Sequence, residues 1–282
     1  MKNTEAFQYL TTQLTPLYDA RESQTIAQYV LEDAFECSFP LVERAFSEKE
    51  QTNFNEITNR LIKAEPWQYV LGEADFYGLK FKVSDAVLIP RPETEELVYC
   101  IIQDAKKQAD SIQILDIGTG SGCIPICLKK ELPKAQIFGV DVSEAALKVA
   151  KSNSKKHQLE VDFQVLDILD KNAWNTFGKL DVIVSNPPYI PLNEKELMRN
   201  NVLKFEPDLA LFVENNDPLL FYRTIAEFAQ KHLKSNGFLY YEINENYGKA
   251  TVDLLIEMGF SDVELEQDMS GRDRMIRARN EE

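Results

Sequence analysis

Histidine and cysteine are scarce in this sequence, two of the first and four of the second among 282 residues. The thiols Cys37, Cys100, Cys123 and Cys127 show no C-x-x-C spacing, and His157 and His232 lie isolated on polar, helix-like stretches. That spacing argues against a metal centre and against a disulfide framework; the thiols are expected as small buried hydrophobes, Cys123 and Cys127 sharing one face of a helix. Long apolar runs are also missing. None approaches the roughly 18 residues of a membrane span, and the start MKNTEAFQYLTTQ lacks the basic-then-apolar order of a secretory signal, so a cytoplasmic chain without membrane contact is expected. Positive charge is short as well: 31 Lys and Arg face 46 Asp and Glu, a net charge of −15. Phosphate backbones repel such a chain at long range, so basic partners are favoured and no direct nucleic-acid binding is expected.

A hydrophobic content of 44% is enough for one sizeable core and a smaller one. The first 65 or so residues read as helices: Phe7, Leu10, Leu14 and Leu17 recur at helical spacing, then Ile26, Tyr29 and Val30, then Phe54, Ile57, Leu61 and Ile62. Ser47 and Glu50 have the spacing of a capping box at the start of the third segment. After Pro66, the stretch DFYGLKFKVSDAVLIP alternates apolar and polar residues around Gly78, which predicts a β-hairpin, and Pro90 and Pro92 mark a boundary. The organisation expected is a helical domain over 1–73, a hairpin linker over 74–90 and an α/β domain over 91–282. In that last part strands such as QILDIG, AQIFGVD, VDFQVLD, LDVIVSN and GFLYYEIN alternate with helices, the pattern of a parallel sheet. DVELEQD and DRMIRAR have no helix between them, so the final strand is expected to enter antiparallel.

Two short segments carry the chemistry. LDIGTGSGC joins the first strand of the α/β domain to its helix, and Gly118, Gly120 and Gly122 let backbone approach a ligand closely or merely pack. The spacing is GxGxG, with Cys123 where a dinucleotide fingerprint needs its third small residue, which disfavours a pyrophosphate. Asp141 ends the second strand, placed to accept hydrogen bonds from both hydroxyls of a ribose; Asp167 and Ile168 follow the third, placed to meet an adenine amino group and cover its ring. Simple strand-end solvation is the competing reading of both aspartates. In DVIVSNPPYIPLN the β-branched run Val182, Ile183, Val184 reads as a buried strand, stopped by Pro187 and Pro188. Asn186 to Tyr189 then form a stiff peg at the strand's carboxyl end, where α/β sheets bind ligands, or else an ordinary turn.

Together these segments resemble a class I S-adenosylmethionine-dependent methyltransferase, a Rossmann-like fold with a mainly parallel seven-stranded sheet, in which NPPY is the signature of enzymes that methylate planar nitrogens. PWQYVLGEADFYGLKF, LIPRPETEELV, FEPDLALF, YEIN and GRDRMIRA extend the likeness to the HemK/PrmC family of protein-(glutamine-N5) methyltransferases. The resemblance implies S-adenosyl-L-methionine as cofactor and class-I peptide chain release factors as partners, methylated on the glutamine of their GGQ motif. It implies a helical substrate-binding domain, cofactor contacts from Gly118, Thr119, Gly120, Ser121, Gly122, Asp141, Ile168 and Asn186, and a substrate clamp of Asn186, Pro187, Pro188 and Tyr189, of which Asn186, Pro187 and Tyr189 are catalytic. Arg91 and Glu93 in RPET are either further site residues or part of a proline-stiffened junction. Two runs depart from the family pattern: VENNDPL stands where GGxDGL is expected, and EINENY lacks the glycine and glutamine of EIGxxQ. A ribosomal-protein glutamine methyltransferase, an adenine-N6 DNA methyltransferase and a non-catalytic module on the same fold are the alternatives. The DNA enzyme is disfavoured because base flipping requires a basic phosphate grip.

Overall fold

A computed structural model of the chain describes residues 1–107 and 111–281. They form two compact units, Met1–Glu73 with Met198–Phe205, and Ala74–Leu197 with Glu206–Glu282.

The first unit holds helices α1 (Asn3–Leu14), α2 (Ala20–Phe35), α3 (Glu48–Leu61) and α4 (Trp67–Leu71). Leu10, Leu14, Val30, Leu31 and Phe54 are wholly buried, and Phe35, Phe46 and Phe54 pack ring against ring. At the start of α3 the Ser47 side chain accepts from the Glu50 amide while the Glu50 carboxylate accepts from the Ser47 amide. Three residues of the expected stripes face outward: Leu17, Tyr29 and Ile62 are 44%, 39% and 40% exposed. Leu17 and Ile62 lie past the last turn of α1 and α3, and Tyr29 stacks on Trp67 with ring centroids 4.9 Å apart.

The second unit opens, from Ala74 on, within the hairpin of β1 (Glu73–Phe76) and β2 (Leu79–Lys82). Tyr77 and Gly78 turn it with φ of 49° and 70°, the pair of left-handed residues that a two-residue turn of matching twist demands. There follow α5 (Pro92–Ala105), β3 (Gln113–Ile117), α6 (Cys123–Glu131), β4 (Gln136–Asp141), α7 (Glu144–His157), β5 (Asp162–Val165), β6 (Leu180–Ser185) and β7 (Ile190–Pro191). Then come α8 (Asn200–Phe205), which belongs to the first unit, α9 (Asp208–Leu211), β8 (Phe212–Val213), α10 (Leu220–His232), β9 (Leu233–Glu242), α11 (Gly248–Glu257), β10 (Ser261–Gln267) and β11 (Asp273–Arg279). Seven strands make one sheet in the order β10-β11-β9-β6-β3-β4-β5, parallel except for β11, which runs antiparallel to both its neighbours. This is the class I methyltransferase fold. Leu97, Val98, Ile101 and Ile102 of α5 join Ile126 of α6 and Leu147 of α7 in one core, and Tyr222, Ile225 and Phe228 of α10 with Leu255 of α11 fill the other. The sheet therefore has helices over both faces, as its apolar parallel strands require.

Pro92, read from the sequence as a boundary, is the first residue of α5. A proline there gives up only an amide that no helix position could satisfy.

Candidate active site

The parallel strands β3, β4, β5, β6 and β9 all end on the same edge of the sheet, and the motifs leave from that edge. The loop between β3 and α6 has Gly118, Gly120 and Gly122 at φ of 76°, 53° and 79°. It is pinned to the neighbouring strand: the amides of Gly118 and Thr119 both donate to the Val140 carbonyl, at 2.8 and 2.9 Å. The three glycines do different work. A β-carbon on Gly122 would sit 3.1 Å from Ala150 and Ile126 and 3.2 Å from Phe163, so this glycine lets α6 pack. A β-carbon on Gly120 would meet nothing within 4 Å, and one on Gly118 only the Asn186 carbonyl at 4.0 Å. Those two positions leave an open cradle bounded by the NPPY backbone.

Asp141 closes β4 beside that cradle. Its Oδ2 accepts the Gly120 amide and its Oδ1 the Ser143 amide, each at 2.9 Å, while burial pushes its carboxyl above the ordinary range against the pull of those amides. The Val142 amide adds a third backbone bond, and of the roughly four lone-pair sites of a carboxylate this leaves room for ligand hydroxyls.

Asp116 was missed by sequence reasoning. It lies in register between Gly139 of β4 and Val184 of β6, and is wholly buried. Neither of its oxygens meets a donor in good geometry, and burial pushes its carboxyl up to about 7, the Thr119 hydroxyl tempering the shift only in part. Its signal was an acid inside the apolar run ILDI of the strand. Opposite it, a β-carbon on Gly139 would come within 2.8 Å of Phe163 and 2.9 Å of the Thr119 hydroxyl, so the loop needs glycine there too.

The NPPY segment follows β6, whose last residue, Ser185, donates its hydroxyl to the Ile117 carbonyl at 2.7 Å. Pro187 is buried, and Asn186, Pro188 and Tyr189 are half-buried. Asn186 Nδ2 donates to the Thr94 hydroxyl at 3.4 Å, and that hydroxyl donates to Glu242 Oε2 at 2.6 Å. The Tyr189 hydroxyl donates to Glu242 Oε1 at 3.3 Å, and Asn244, within the EINENY departure, donates to the Tyr189 carbonyl at 3.3 Å. Burial raises the Glu242 carboxyl above its ordinary value, and the charge of Glu93 adds to the rise while Arg274 opposes it. Thr94 and Glu242 were not singled out from sequence, since 148 residues separate them.

Arg91 is engaged elsewhere. Its guanidinium pairs at 2.6 Å with Glu206, a buried carboxylate that also accepts the Ile89 amide at 3.2 Å, so it fastens the FEPDLALF segment. Asp167 lies beyond the end of β5, exposed, and accepts the Leu169 amide at 2.9 Å. Ile168 is buried in the core with Leu115, Ile117 and Trp174, and its carbonyl accepts the Trp174 indole N–H at 2.9 Å. Gly118 to Gly122, Asp141 and Asn186 to Tyr189 are thus brought to one edge, with Asp116 and Gly139 beneath them.

The family model for the methyltransferase small domain matches residues 96–204. A release factor glutamine methyltransferase from Flavobacterium psychrophilum is 49% identical over 220 residues, 77% of this chain and 76% of that protein. One from Lactococcus lactis is 42% identical over 262 residues, 87% of this chain and 94% of that protein. A crystal structure of a methyltransferase from Pyrococcus furiosus shares the fold, with a TM-score of 0.54 at 16% identity, covering 84% of this chain and all of that one.

Proposed function

The chain belongs to the family of release factor glutamine methyltransferases, and from that premise we propose that it methylates the side-chain nitrogen N5 of the GGQ glutamine in class-I peptide chain release factors. S-adenosyl-L-methionine is the cofactor, and it supplies a methyl group made electrophilic by its sulfonium. The residues present fit it. An open cradle over Gly118 and Gly120, a ribose-ready Asp141 and the unpartnered buried carboxylate of Asp116 suit a cationic adenosine compound. Thr119 and Ser121 line the buried side of the same loop.

The observation that carries the reading is the approach of NPPY to the glycine loop, with the Asn186 carbonyl beside the space over Gly118. An amide nitrogen is a poor nucleophile because its lone pair is delocalised. Oriented acceptors on its two hydrogens build electron density on it as it attacks, and Asn186 Oδ1 with the Pro187 carbonyl are acceptors of that kind. Prolines at 187 and 188, with no amide hydrogen, stop the segment from continuing a helix or ladder and leave the Pro187 carbonyl for a ligand. Tyr189, half-buried against the core, has its hydroxyl anchored on Glu242 and its ring beside the peg for stacking. We assign substrate recognition away from the reacting atoms to the helical unit, which holds a cleft of ≈ 900 Å³ lined by Leu17, Tyr18, Ile62 and Arg199 among others.

The test is incubation with labelled cofactor and, in parallel, a release factor, a ribosomal-protein fraction and adenine-containing duplex DNA. Label is expected in the release factor; label chiefly in the ribosomal fraction or in DNA contradicts the assignment.

A further inference from the structure

Asn186 presents an amide whose two ends differ in function: only its oxygen can accept a hydrogen from a substrate NH₂. Something in the protein has to choose which end faces outward. The Thr94 hydroxyl carries a single hydrogen, and at 2.6 Å that hydrogen is committed to the buried Glu242 carboxylate. Toward Asn186, Thr94 is therefore an acceptor only, and the atom that meets it at 3.4 Å is Nδ2. Oδ1 is left for the substrate. The other oxygen of Glu242 holds the Tyr189 hydroxyl, and Asn244 holds the Tyr189 carbonyl, so both ends of the motif are tied back to the end of β9. Thr94 is buried in the first turn of α5, and Glu242 is 1% exposed, so water does not compete for the bond between them.

We propose that Glu242, acting through Thr94, is a positioning residue that sets which end of the Asn186 carboxamide faces the substrate. This rests on the reading of Asn186 as the acceptor of the glutamine NH₂. Neither Glu242 nor Thr94 touches the reacting atoms. Their effect is on kcat, through the fraction of enzyme whose Asn186 is turned correctly.

The experiment compares Thr94→Val, which keeps the shape and removes the hydroxyl, with Thr94→Ser, which keeps the hydroxyl, in the full-length enzyme with intact release factor. At saturating cofactor and factor, Thr94→Val is expected to lose about tenfold or more in kcat, and Thr94→Ser to stay within about threefold of wild type. Cofactor affinity, read by calorimetry, is expected within about threefold of wild type in both. Should the valine variant fail to fold, Thr94→Ala, which adds no bulk, is read in the same way. Wild-type turnover in Thr94→Val or Thr94→Ala, an equal loss in Thr94→Ser, or a loss confined to cofactor affinity overturns the proposal. Asn186→Ala is run alongside: if it is inactive while Thr94→Val is fully active, only the positioning role falls, whereas an active Asn186→Ala removes the clamp reading itself.

Discussion

Asp116 is held in a place where its ionised form is costly: wholly buried, with no donor in good geometry on either oxygen and its carboxyl raised to about 7. An unfolded aspartate titrates near about 3.9. A folded value above the unfolded one means that the group's contribution to stability is fully present below the unfolded pKa and is lost as pH rises through the folded one. Asp141 and Glu242 are shifted in the same direction by the same cause. The cofactor-free protein is therefore expected to melt at progressively lower temperature as pH is raised from about 5 to 7, with His232, whose charged form burial disfavours, opposing part of the fall. Asp116→Asn is expected to flatten that slope; a melting temperature that rises over the interval contradicts the assignment. Asp141 gives a separate test. If Asp141 holds the ribose as proposed, Asp141→Ala removes hydrogen bonds to two hydroxyls, on the order of 2 to 3 kcal/mol, a factor of tens to hundreds in the dissociation constant. Calorimetric titration of the folded variant showing unchanged cofactor affinity would take Asp141 out of the site.

Among the elements, those with an unbroken local signal were legible in the sequence. Val182, Ile183 and Val184 marked β6, and the Gly118–Gly122 run marked the turn into α6. The missing helix between DVELEQD and DRMIRAR marked the antiparallel pair β10 and β11. α5 was not legible, because LIPRPET reads as punctuation until Pro92 is seen to occupy a first-turn position, and the polar stretch from Glu93 to Glu96 separates it from the helix's apolar run from Leu97 to Ile102. The hydrogen-bond chain Asn186–Thr94–Glu242–Tyr189 was invisible for a different reason: each member is an ordinary polar residue, and only the pairing of β6 with β9 and the packing of α5 bring them together. β4 carries a prediction of this kind. Gly139→Ala places a carbon 2.8 Å from Phe163 and 2.9 Å from the Thr119 hydroxyl, so either the ring or the glycine loop shifts. A loss of about 1 to 3 kcal/mol in chemical denaturation, the usual cost of overpacking, is expected together with weaker cofactor binding. Unchanged stability and affinity would show that the loop has slack.

For the whole molecule the choice of substrate cannot come from the reacting atoms, since a glutamine side chain and an adenine amino group both present a flat NH₂ to Asn186 and Tyr189. On the proposed reading it comes from the rest of the chain: a net charge of −15, which disfavours a phosphate backbone, and a separate helical unit with its own cleft. Contacts remote from the reacting centre can be spent on orienting it, so an isolated GGQ peptide, which also loses ordering entropy on binding, is expected to be methylated far less efficiently than an intact release factor. Equal kcat/KM for the two would leave the helical unit without that role. The most direct measurement is peptide mass spectrometry of a release factor after incubation with enzyme and S-adenosyl-L-methionine, beside the same factor with its GGQ glutamine changed to alanine. The account predicts one added methyl group on the nitrogen of that glutamine and none in the alanine form; a methyl group elsewhere, or one undiminished by the alanine change, contradicts it.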